Sequence, residues 1–144
     1  MRDFKFLAML IVLVSIIMAG CSGEVRGVKD VGQTIEVQKR VGDEDSNNYE
    51  VLKVVSDMEQ VNKVEKLLDD AAWENAEVSM VRRADYRFSF PNPEAKVVLY
   101  ELWVGPQKNI VELVINGEGR YVKLGINESA ELFEILTGES LADF

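Results

Sequence analysis

The chain has 144 residues, 47% of them hydrophobic and 28% charged, the balance of one globular domain with an attachment. It carries a formal net charge of −9, no histidine and one cysteine. An acidic body repels nucleic-acid phosphates, and the histidine and cysteine counts remove the commonest general base, zinc cages, redox pairs and internal disulfides.

Met1 to Lys5 holds Arg2 and Lys5, and Phe6 to Met18, FLAMLIVLVSIIM, is an apolar run broken only by Ser15. A positive start, a short apolar core and the small residues Ala19 and Gly20 describe a secretory signal over residues 1–20. A membrane-crossing helix needs about 20 apolar residues, more than this run supplies. The solitary cysteine, Cys21, falls where the cut is expected. Met18-Ala19-Gly20-Cys21 resembles the lipobox of bacterial lipoproteins, with methionine in place of the usual leucine. The resemblance implies a diacylglycerol thioether on Cys21, cleavage before it, and a place on the outer face of the cell membrane. Residues 21–144 keep fourteen basic against twenty-four acidic side chains, so nucleic acid is not an expected partner.

Residues 21–34 contain three glycines and no sustained period, and are expected to be the lipidated N-terminus and a tether. The domain is expected over residues 35–144. Its first strand is Ile35 to Val41, its second Tyr49 to Val55, and the acidic loop Gly42 to Asn48 lies between them. Ser56 with Glu59 forms a capping-box pattern, Asp57 competes for the cap, and Val61, Val64, Leu67, Leu68, Ala71 and Ala72 share a helical face. From Val81 to Phe90 the period becomes alternating. Strands are then expected at Lys96 to Val104, Ile110 to Ile115 and Tyr121 to Leu124, with Asn116-Gly117 as a hairpin signal. A last helix takes Asn127 as its cap and stops at Gly138. Runs of strands separated from helices predict an α+β fold: a largely antiparallel sheet of about five to six strands, with two helices packed on one face.

The run Tyr100 to Leu136, YELWVGPQKNIVELVINGEGRYVKLGINESAELFEIL, resembles the C-terminal part of the small YhfM-like lipoproteins of Gram-positive spore-forming bacteria. It has the Leu-Trp-Val-Gly strand, the hairpin, and a short helix of the Ser-x-x-Leu kind. Tyr121 and Leu124 are spaced by one residue more than in that pattern. The resemblance implies a membrane lipoprotein and carries over no catalytic residue.

Candidate sites are few. Asp43, Asp45 and Asn47 match the first alternate ligands of a calcium loop, but Asn48 stands where its glycine belongs and Val54 where its bidentate acid belongs. No metal site and no cofactor is expected. Arg83 and Arg87 share the polar face of one strand; they suit a carboxylate or phosphate, or pair with Glu101 or Glu112 across the sheet. Trp103 lies opposite Tyr100 and Leu102 and becomes a contact residue if exposed. Glu59, Glu65, Asp69, Asp70 and Glu74 supply carboxylates on a helix, where a solvated face is the ordinary outcome. Asn127-Glu128-Ser129 matches a glycosylation sequon and reads as a helix cap. The expectation is a lipid-anchored interaction or accessory domain without enzymatic activity, its partner an envelope protein. The alternative is a small-ligand or peptide binder at Arg83, Arg87 and Trp103.

Overall fold

Alternation of apolar and polar residues builds most of the sheet, and hairpin turns order it. A computed structural model describes residues 33–144; the signal segment, Cys21 and most of the tether lie outside the described residues. The strands are β1 (Ile35–Val41), β2 (Asn48–Val55), β3 (Glu74–Asn75), β4 (Tyr86–Ser89), β5 (Leu99–Val104), β6 (Val111–Ile115) and β7 (Arg120–Lys123). The helices are α1 (Met58–Asp70) and α2 (Ile126–Thr137), followed by a single 3-10 turn at Leu141–Asp143. One seven-stranded sheet results, in the order β2-β1-β4-β5-β6-β7-β3, with every pairing antiparallel. The class is α+β. The expected count of five to six strands is close, and the addition is β3, two residues with no alternating pattern to announce them.

Both helices cover one face. Val37, Tyr86, Phe88, Leu102, Leu113 and Val122 point from the sheet into a core closed by Val61, Val64 and Leu68 of α1 and Leu132, Phe133 and Leu136 of α2. Tyr86 and Phe133 meet edge to face with centroids 5.6 Å apart. Asp57, not Ser56, caps α1, its carboxylate accepting from the Gln60 N–H at 2.9 Å. The expected Asn127 cap is corrected: Gly125 occupies the cap position without a side-chain bond, and Asn127 lies inside the first turn. Gly138 ends α2 in the left-handed region, φ 79°, and its N–H donates to the Glu134 carbonyl. Lys53 of β2 reaches across to donate to the Ile135 carbonyl at 3.2 Å, a cation placed on the negative end of the helix.

Topology dictates the rest. β2 and β3 are the two edges of the sheet, so α1 must carry the chain across its whole width on the core side. β3 lies beyond β7, while β4 lies between β1 and β5. The link from β3 to β4 must therefore recross β7, β6 and β5, and the helices already fill one face. It crosses the other as an irregular strap over residues 76–85.

Candidate functional site

The uncovered face of the sheet is read from the register. One row runs Val51, Gln38, Arg87, Glu101, Val114, Tyr121, Glu74 from edge to edge. The strap passes over part of this face and is bolted down by Asp85. The Asp85 side chain is 5% exposed and takes a two-pronged grip from the Arg82 guanidinium, with Nη2 at 2.8 Å from Oδ2. It also accepts from Arg40 Nη2 at 3.3 Å and from the Val104 N–H at 2.8 Å. Arg82 donates in addition to the Val104 carbonyl at 3.0 Å, and its bond to Asp85 raises its pKa above the ordinary arginine value. The Arg40 N–H donates to the Asp85 carbonyl, and the Tyr49 hydroxyl to the Ala84 carbonyl at 2.8 Å.

These bonds explain why the expected strand from Val81 to Phe90 shortens to Tyr86–Ser89. The residues before Tyr86 leave the ladder to lie over the sheet. Trp103 becomes part of that joint. It is buried, 7% exposed, and its indole N–H donates to the Arg82 carbonyl at 2.9 Å. Arg87 is likewise engaged: Nη2 lies 2.9 Å from Glu101 Oε1 and 3.0 Å from Asn47 Oδ1. Its guanidinium sits 3.8 Å from the centroid of the Tyr49 ring, a cation–π contact. Burial pushes the Tyr49 hydroxyl pKa up, Glu101 adds to that, and Arg87 opposes it. Asn47 of the acidic loop is thus committed to Arg87.

Arg83 differs from its neighbours. It is exposed, and its side chain makes no hydrogen bond or ion pair among the described residues; only its N–H is held, by the Glu44 carbonyl at 3.1 Å. Between strap and sheet lies a cleft of about 410 Å³, with Arg82, Arg83, Asp45 and Glu101 as its charged lining and Met80, Trp103 and Val114 among its apolar walls. Of the three expected contact residues, Arg83 and Trp103 line this cleft, one exposed and one buried, whereas Arg87, paired to Glu101, is not part of its lining. A free guanidinium beside an apolar wall suits an anionic group attached to a small apolar body. The acids Asp45 and Glu101 in the same lining limit how much negative charge that body can carry.

Sequence reasoning passed over Arg40 and Met80, and placed Asp85 only between Arg83 and Arg87 on the expected polar strand face. The Arg82-x-x-Asp85 spacing is the only signal for the clamp, and it acquires meaning once the strap brings both residues over β5.

The chain matches no protein-family model and no curated protein. Among solved structures it is similar to a thioesterase-like protein from Clostridium sporogenes ATCC 15579, with a TM-score of 0.52 and 17% identity. The match covers 74% of this chain and 95% of that one. At this identity the likeness is one of fold. It nevertheless corrects the expectation of a domain without enzymatic activity, because a protein with this architecture is described as thioesterase-like. Small size and the missing histidine are therefore no ground for setting the fold apart from enzymes.

Proposed function

We propose that the chain is a lipoprotein of the YhfM-like kind, held at the outer face of the cell membrane by a diacylglycerol thioether on Cys21. Its domain binds an acidic small ligand or a peptide terminus in the strap cleft. The anchor is supported by the Met18-Ala19-Gly20-Cys21 pattern directly after a short apolar run in a chain with a single cysteine. One acyl chain gives only marginal retention at ~0.8 kcal/mol per buried CH₂, whereas the two chains of a diacylglycerol hold stably. Cys21→Ala is expected to abolish incorporation of labelled lipid and to leave the signal segment uncut. A Cys21→Ala protein that is processed and labelled as the parent is ends the reading.

The binding part rests on one observation: the Arg83 guanidinium has no partner among the described residues, in a cleft whose other arginine, Arg82, is engaged by Asp85. Arg83→Ala is expected to weaken capture of carboxylate-terminated peptides about tenfold, equivalent to ~1.4 kcal/mol. Equal capture by both proteins removes Arg83 from the role.

A second reading, hydrolysis of a thioester, is supported by the fold likeness and by Glu101, a carboxylate lining the same cleft. It requires thiol release from a short-chain acyl thioester that Glu101→Gln abolishes. Release no faster than in buffer retires it.

A further inference from the structure

A second cleft opens on the core side of the sheet, at the end where β1 begins, between α1 and the turn joining β4 to β5. It measures about 390 Å³, within the range of small-molecule sites. Phe90, Tyr100 and Leu68 form its apolar wall, and Glu65 and Asp69, one helical turn apart on α1, stand over it. The wall is rigid. Tyr100 stacks on Phe88 with centroids 4.9 Å apart and meets Phe90 edge to face at 6.2 Å. Trp73 backs it, also at 6.2 Å.

The charges around it are unbalanced. The lysines of α1 are taken by other acids: Lys63 lies 3.1 Å from Glu59, and Lys66 lies 2.6 Å from Asp70. Glu65, half-buried, and Asp69 have no ion-pair partner among the described residues. Among the described residues lining the cleft, Lys96, in the exposed turn, is the one basic side chain. The Tyr100 hydroxyl senses the same field: burial raises its pKa, and Glu118 and Asp69 raise it further against the opposing Arg120.

Carboxylates above an aromatic wall suit a cation that is large, weakly hydrated and partly apolar. A hydrated metal ion asks for several oxygen ligands, and no group of three or more candidate ligands exists among the described residues. We infer that this cleft binds a small organic cation, an alkylammonium group, with Glu65 and Asp69 supplying the charge and Phe90 and Tyr100 the wall. Such a group comes either as a free amine or as the head group of a lipid. The inference is independent of the strap cleft, which lies on the other face of the sheet.

The test uses the full chain in neutral detergent, titrated calorimetrically with tetramethylammonium chloride. Saturable binding is expected with a Kd on the order of 1 mM. The double variant Glu65→Gln, Asp69→Asn, which removes the charges and keeps the side-chain sizes, should bind at least tenfold more weakly, and tert-butanol, an uncharged small alkyl compound, should not bind. Short-chain phospholipids kept below their micelle concentration separate the sources. Binding of the short-chain phosphatidylcholine, but not the phosphatidylglycerol, that the double variant loses assigns a head group; binding of tetramethylammonium alone assigns a free amine. The inference is overturned if neither tetramethylammonium nor phosphatidylcholine binds, if the double variant binds both as the parent does, or if tert-butanol binds equally well.

Discussion

Asp85 gathers two guanidinium groups and a backbone N–H around one buried carboxylate. Taking a buried charge out of such a set strands its partners, at a cost of about 3–5 kcal/mol. Asp85→Ala is therefore expected to lower the urea midpoint sharply, while Arg83→Ala, two residues away and exposed, should leave it within error. Tyr86 next door makes a pH prediction. Burial pushes its pKa up to about 12 from 10.0, so the unfolded chain loses this proton first as pH rises. Its contribution is complete below pH 10 and disappears between pH 10 and 12. Urea midpoints over that interval should fall less steeply in Tyr86→Phe than in the parent. The alternation of Tyr86, Arg87, Phe88 and Ser89 was legible from the sequence; that Arg83 and Asp85 leave the ladder, with Asp85 buried, was not. The fate of Trp103 was not: alternation assigns it a face, but whether that face sees solvent depends on a strap that pairs with no strand.

At the level of elements, the two helices are attached differently. α2 is pinned by Ser129, wholly buried, whose hydroxyl oxygen accepts from the Val111 N–H of β6 at 2.9 Å. Ser129→Ala leaves that N–H without a partner in the core and is expected to cost about 1–3 kcal/mol, read from chemical denaturation. Thr at the same position should recover part of the loss where its methyl is accommodated. The helical stripe of α1 and the Gly138 stop of α2 were readable because period and terminal chemistry act locally. The start of α2 was not, since Asn127 and Gly125 compete within one turn and the end of β7 decides between them. The Asn116-Gly117 signal marked the right hairpin, yet Ile115 pairs with Arg120, so four residues turn there and both Gly117 and Gly119 take positive φ. A dipeptide reports that a turn exists more faithfully than it reports its length.

For the whole molecule, the sheet has unequal rims. β3 is a two-residue edge, whereas β2 is an eight-residue edge with Val51, Leu52 and Val54 exposed. The sandwich of helices on one face was visible from the segregated order of elements; the crossing of the other face was not, because no residue pattern encodes which strands become neighbours. That crossing has a consequence for how the molecule comes apart. α1 passes over β5, β6 and β7 on one side, β3 rounds the outer edge, and the strap returns on the far side to Asp85. The chain thus wears a belt around its own meander, with Asp85 as the fixed rivet and the bonds of Glu74–Ala76 to Gly119–Tyr121 as the buckle. Strands so girdled exchange their amide hydrogens only when the belt is undone. Hydrogen–deuterium exchange should therefore find Leu113 and Leu102 released together with Asp85→Ala far sooner than in the parent, and Ala76→Pro, which deletes the Ala76 N–H donor to Gly119 at 2.9 Å, should loosen β7 first. Durability in this molecule would then be a matter of fastening as much as of packing: a few polar bonds at the border of the core set how long the core stays shut.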